Sequence, residues 1–218
     1  MSRSGGFVVA AGVLALAAAG VLFGSKYLGI DLLSMRPSER ELVMQMSETA
    51  ALGGGYAMLF SGPDAEKWKV APGHQLEKFS VESGDAAFAR LTSSVPLDTK
   101  TWEWPTQGLS VMLPVEFNNQ TNGKKVEIGI VARATAVKST DSISVTYATQ
   151  QAGNSGWKKI PVGRDFELFK FVFAVPSIEP GGYTHQPILV VHADATGSGR
   201  SAEILGVYVK TYQPELPQ

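Results

Sequence analysis

From about residue 84 onward, apolar residues recur at every second position in short runs, parted by clusters of Gly, Asn, Asp, Ser and Pro. Period-two alternation marks strands with one buried face, and many short strands at this spacing predict an all-β sandwich or barrel. "AFARLTSSV" (87–95) and "LSVMLPVEF" (109–117) come first, and "NNQTNG" (118–123) turns into the next strand. "KVEIGIVARATAV" sets Val126, Ile128, Ile130, Ala132 and Ala134 on one face, with Glu127, Arg133 and Thr135 on the other. "SISVTYAT" aligns Ile143, Val145 and Tyr147, and "FELFKFVFAV" aligns Phe169, Phe171, Phe173 and Val175, with Lys170 opposite. "PILVVHAD" is apolar on both faces and reads as a central strand. "AEILGVYVKTY" points Leu205, Val207 and Val209 inward and Tyr208, Lys210 and Tyr212 outward. About eight strands in two antiparallel sheets are expected.

Upstream, the period changes. "FVVAAGVLALAAAGVLF" (7–23) carries no charge, and as a helix spans roughly 26 Å, slightly short of a bilayer core of about 30 Å. Lys26 can snorkel and Tyr27 suits the interface. A cleaved signal peptide, with Ala17–Ala19 as the small residues, is the competing reading. The anchor is preferred because the apolar run continues through Val21, Leu22 and Phe23. Counting Arg3 before the span against Lys26, Arg36 and Arg40 after it favours a cytoplasmic carboxyl side. The habit of signal-like segments to precede exported β-rich domains outweighs that count. The expected placement is therefore a single-pass anchor in a bacterial inner membrane with the carboxyl-terminal domain in the periplasm.

In "PSERELVMQMSETAALGGG", Ser38 and Glu41 fit a capping box. Leu42, Val43, Met46 and Ala50 form one stripe, Glu39, Arg40 and Glu48 are expected in water, and Gly53–Gly55 stop the helix. The stripe suits either a partner or membrane surface, or its own domain. Residues 61–84 look loop-like, anchored by Trp68, Leu76 and Phe79. The expected organisation is an anchor (1–27), a juxtamembrane segment with the amphipathic helix (28–83), a sandwich (84–212) and a tail (213–218).

The order of strands, with "ISVTYAT", the turn into "SGWKKIPVG", "FELFKFVFAVP", "PILVVHAD" and "EILGVYVK", resembles the jelly-roll sandwiches of carbohydrate-binding modules and the galactose-binding-like superfamily. The resemblance covers residues 84–212 and implies a two-sheet antiparallel fold that binds sugar through exposed aromatics on a concave sheet or in edge loops. Many such domains hold a structural calcium, but no calcium motif matches here residue by residue. The resemblance also implies that Trp157 starts a strand. There it can plug the end of the sandwich or offer a platform, and the plug is preferred.

Composition narrows the chemistry. The 218 residues hold 19 Lys and Arg against 20 Asp and Glu, a net charge of −1, which gives no whole-chain case for binding nucleic acid. With no cysteine, disulfides, thiolate metal sites and cysteine nucleophiles are excluded together. His74, His185 and His192 show no metal-ligand spacing. "GNSG" (153–156) lacks the spacing of a nucleophile elbow, and "GSGRSA" (197–202) runs into a strand where dinucleotide binding needs a helix. Asp141, Asp165 and Asp194 read as turn caps, although Asp194 could join a calcium site if carbonyls converged on it. Asn119-Gln120-Thr121 matches a glycosylation sequon by pattern only. No catalytic residue, cofactor or metal is expected.

Two functions follow. One is a membrane-anchored, non-catalytic module for cell-envelope carbohydrate. Its candidate ligand-binding set is Arg133, Lys170, Tyr208 and Lys210 on an outer face, with Trp102 and Trp104 in the loop "TKTWEWPTQG". The other is an accessory subunit of a membrane complex. Its partners would be held by the small residues of the anchor and by residues 28–52, with the sandwich capping the assembly.

Overall fold

The computed structural model describes residues 37–60, 64–80, 86–100, 107–179 and 182–214. The anchor segment 7–23 and the loop tryptophans Trp102 and Trp104 lie outside them. Among the described residues no helix is long and apolar enough to cross a membrane.

Among the described residues, two helices and eleven strands follow in order: α1 (Pro37–Leu52), β1 (Tyr56–Leu59), β2 (Trp68–Val70), β3 (His74–Ser80), β4 (Ala86–Ser93), β5 (Leu109–Met112), α2 (Val115–Thr121), β6 (Lys125–Ala134), β7 (Ser142–Ala148), β8 (Lys158–Pro161), β9 (Glu167–Ala174), β10 (Ile188–His192) and β11 (Arg200–Thr211). They form two antiparallel sheets. Sheet A runs β3-β4-β11-β6-β9, with β1 pairing the second half of β11, and sheet B runs β2-β5-β10-β7-β8. The sheets draw on residues well before 84. Trp68 and Leu76, expected as anchors of a draped loop, lie in β2 and β3, and the Trp68 indole donates to the Leu59 carbonyl at 3.0 Å.

Alternation places the core as expected. Val126, Ile128, Ile130 and Ala132 from sheet A meet Ile143, Val145, Tyr147, Leu189 and Val191 from sheet B, and Phe169, Phe171 and Phe173 pack beside them. Strand β10 is buried along its whole length, as a strand apolar on both faces should be.

Two strand readings are corrected. Residues 109–117 are not one strand: β5 stops at Met112, Pro114 cannot donate to a ladder, and α2 follows. Its Asn118 is buried and donates to the carbonyls of Thr149 and His185, while Asn119 donates to Tyr183, so the sequon is part of a packed helix. In β11 the register shifts between Ile204 and Gly206, a bulge that turns Leu205 to the outer face while Val207 and Val209 still point inward.

Helix α1 lies on that outer face. Val43, Met46 and Ala50 bury against Val131, Leu205 and Tyr208, with Leu42 at the margin. At about 1.5–3 kcal/mol per large apolar side chain, this contact holds the helix to its own domain. Glu39 is not in water: its carboxylate reaches Arg133 at 3.8 Å with 12% of the side chain exposed. At the other end Gly54 adopts φ +62°, which lets the Gly55 amide return to the Ala50 carbonyl at 2.8 Å.

Candidate functional site

Beside the first turn of α1, the outer face of sheet A carries a row of charged residues across four strands. Glu77 on β3 pairs with Arg90 on β4, Arg90 with Glu203 on β11, and Glu203 with Arg133 on β6. Cross-strand neighbours on one face stand within side-chain reach, so the row is a chain of alternating charge. Glu203, with 7% of its side chain exposed, takes Arg90 Nη2 on Oε1 at 2.8 Å and Arg133 Nε on Oε2 at 2.7 Å. Glu77 reaches Arg90 Nη1 from the far side at 3.4 Å.

Aromatic rings fix the guanidiniums from below. Arg90 lies 4.6 Å above Phe79, and Arg133 lies 4.2 Å from Phe166 and 5.4 Å from Phe88. Phe79 and Phe88 stack at 4.9 Å, and Phe166 meets Phe88 edge-on. Guanidinium planes held on rings and by a carboxylate lose little further freedom when they bind.

This row forms one wall of a cleft of about 560 Å³, lined by Arg90, Arg133, Arg164, Thr135, Ser139 and Glu203 together with the methyl groups of Ala134 and Ala136. The volume lies within the usual range of ligand sites. Three guanidiniums face it against one carboxylate. Arg164, on the exposed loop between β8 and β9, has no hydrogen-bond or ion-pair partner among the described residues. Arg90 Nε is buried and also without one.

The expected ligand set divides. Arg133 lines this cleft. Lys170 is exposed on β9, opposite Gly129. Tyr208 does point outward but is fully buried beneath α1, its hydroxyl donating to Glu127 at 2.6 Å. Burial and the Glu127 carboxylate both push the Tyr208 phenol up. Lys210 reaches the same carboxylate at 3.7 Å. The helix that covers the sheet thus occupies the face on which these four residues were expected to form one surface. Arg90, Arg164 and Glu203 were missed, although the outward parity of Arg90 beside inward Ala89 and Leu91 was visible in the sequence.

Trp157 is not a plug between the sheets. It is half-buried against Ala148, Ile188 and Val190 on the outer side of sheet B. It stands three residues before inward Ile160, on the parity of Lys159, and so takes the opposite face.

The buried histidines sit at one end of the sandwich. The His74 and His192 rings meet edge-on at 4.9 Å, and His74 Nδ1 lies 3.0 Å from Ser93 Oγ. His192 Nε2 donates to the Val95 carbonyl at 3.0 Å, and its Nδ1 accepts the Asp194 amide at 3.2 Å. One ring nitrogen must donate and the other accept, so this imidazole is neutral. Burial, and then the neighbouring His74, lower the His192 pKa to about 4. Asp194 accepts from the amides of Thr196, Ser198 and Arg200 and from the Thr196 and Ser198 hydroxyls. Burial opposes the charge, but these donors prevail and hold the carboxyl at about 2. A carboxylate filled with N–H and O–H donors is a turn cap rather than a calcium ligand. Among the described residues no three acidic or histidine side chains converge as a metal site.

No protein-family model matches the chain, and no curated protein matches its sequence. The chain is similar to several solved structures at low sequence identity. The CBM22-2 xylan-binding domain of Paenibacillus barcinonensis Xyn10C is 11% identical over 72% of this chain and 99% of that one, with a TM-score of 0.48. The second N-terminal cellulose-binding domain of Cellulomonas fimi β-1,4-glucanase C is 14% identical over 72% and 92%, with a TM-score of 0.44. A carbohydrate-binding module of Cellvibrio mixtus lichenase 5A, in complex with cellotriose, is 11% identical over 72% and 98%, with a TM-score of 0.40.

Proposed function

We propose that this chain is a non-catalytic module that binds cell-envelope carbohydrate in the cleft of sheet A, tethered to a membrane through residues 7–23. The carrying observation is the lining of that cleft. Arg90, Arg133 and Arg164 stand there beside Ala134 and Ala136, with Thr135 and Ser139, whose hydroxyls donate to backbone carbonyls and keep lone pairs to accept. A sugar ring offers hydroxyls at its rim and C–H groups on its faces, and needs both kinds of neighbour. Arg90 and Arg133 are set in place beforehand by Glu203 and the phenylalanines, which lowers the cost of ordering them on binding. The cleft's carboxylate is committed at both oxygens to arginine, whereas a glycosidase needs two carboxyl groups free to face the scissile bond. The tether rests on the uncharged apolar run alone.

The test is a panel of neutral and acidic envelope polysaccharides offered to the full chain in mild detergent, alongside Ala136→Trp. Ala136 is exposed, so the indole fills the cleft without disturbing the core. Binding by the wild type and at least tenfold weaker binding by Ala136→Trp, at equal melting temperature, supports the reading. A wild type that binds no polysaccharide ends it.

A further inference from the structure

Resting on that reading, we infer that the cleft selects a sugar bearing an anionic substituent, a uronate carboxylate or a sulfate ester, and that Arg164 is the residue that recognises it. Three cations and one anion line the space, and two of the cations are already paired. Glu203 is shared by Arg90 and Arg133, and Glu77 and Glu39 approach those same two arginines from outside the cleft. Among the described residues Arg164 alone of the three has no carboxylate paired with it. A neutral sugar would leave the Arg164 charge as it is, whereas an anionic group there gains a charge-assisted and, for a planar carboxylate, bidentate hydrogen-bonded pair. Phe166, two residues after Arg164, packs against Arg133 at 4.2 Å and so ties the loop carrying Arg164 to the charged row. A ligand anchored by a rim charge binds more weakly as salt rises, because exposed charges are screened over about 10 Å at 0.1 M ionic strength.

The experiment measures binding of the full chain in mild detergent to polygalacturonate, to the same polymer after its carboxyl groups are reduced to alcohols, to dextran sulfate and to unmodified dextran, at 50 and 300 mM salt. Arg164→Gln is compared with Lys159→Gln, an exposed cation on sheet B that serves as a control for unspecific polyanion binding. At least one anionic polymer is expected to bind at least tenfold more tightly than its uncharged counterpart. Arg164→Gln should remove most of that difference at unchanged melting temperature, and Lys159→Gln should not. The two anionic polymers separate carboxylate from sulfate as the group read. Equal binding of charged and uncharged polymers, or equal losses in the two variants, overturns the anionic selection and leaves a neutral-glycan module standing. If neither these polymers nor the neutral and acidic panel bind, the carbohydrate reading falls and this inference falls with it.

Discussion

The ring of Tyr208 lies across Gly129, its cross-strand neighbour, so closely that a Cβ at position 129 would overlap it. The missing side chain lets the phenol lie flat under α1 and reach Glu127. Gly129→Ala should therefore act as an overpacking change of about 1–3 kcal/mol, lifting Tyr208 against Val43 and Met46. A urea midpoint unchanged by Gly129→Ala would show that the ring has room to move and that the helix is not seated on it.

The core was legible in the sequence because it depends on parity alone. Val126, Ile128 and Ile130, or Phe169, Phe171 and Phe173, declare one face whatever the neighbouring strands do. The same rule failed at Leu205, where the bulge before Gly206 adds a residue and flips the parity locally. It also gave the direction of Tyr208 correctly and its exposure wrongly, since the rule does not say what covers a face. The stripe on α1 was readable, but its destination was not. The cleft was the least visible part. Arg90, Arg133 and Glu203 lie far apart in sequence and meet only through the register of three strands, which no local pattern encodes. Trp157 could have been placed, because its spacing of three from Ile160 already assigns it to the other face.

Glu203→Gln should destabilise the domain by about 2 kcal/mol. The change removes the one negative charge between two guanidiniums and turns an amide N–H toward Arg133, which also donates. Breaking a fully buried pair costs about 3–5 kcal/mol, and the cost here is smaller because 35% of the Arg90 side chain remains in water. The loss is read from denaturant midpoints. The arginines then lose their anchor, so polysaccharide binding should weaken in the same variant. A fully stable Glu203→Gln protein would mean that the rings alone hold the guanidiniums.

Trp157→Ala should cost about 1–3 kcal/mol, less than the about 3–5 kcal/mol of a fully buried aromatic. The indole is half-buried, and its loss opens Ile188 and Val190 on one side only. For a chain of this length each kcal/mol lowers the melting temperature by about 2–4 °C. A drop corresponding to 5 kcal/mol or more would place Trp157 in a closed core after all.

Acid should weaken the fold in two separate steps, and the first belongs to the histidines. The His192 pKa is lowered from 6.5 to about 4, by burial and then by His74, while the Val95 carbonyl and Asp194 pull the other way without prevailing. A proton on Nδ1 would point at the Asp194 amide that this nitrogen now accepts. Between pH 6.5 and about 4 the unfolded chain therefore binds a proton that the folded chain refuses, and stability falls as pH falls through that window. Spanning it costs roughly 3 kcal/mol at 1.36 kcal/mol per unit. His74, also lowered by burial, adds in the same direction. Asp194 acts later: its folded pKa of about 2 gives stability that is complete above 3.8 and is lost as pH falls toward 2. Urea midpoints taken from pH 7.5 to 2.5 should show the first decline above pH 4, and His192→Gln, which cannot titrate, should flatten it down to the part left by His74. The Asp194 decline below pH 4 should persist in that variant. Wild type and His192→Gln losing stability in parallel across pH 6.5 to 4 would mean that His192 takes up its proton within the fold and that its hydrogen bonds do not hold it neutral.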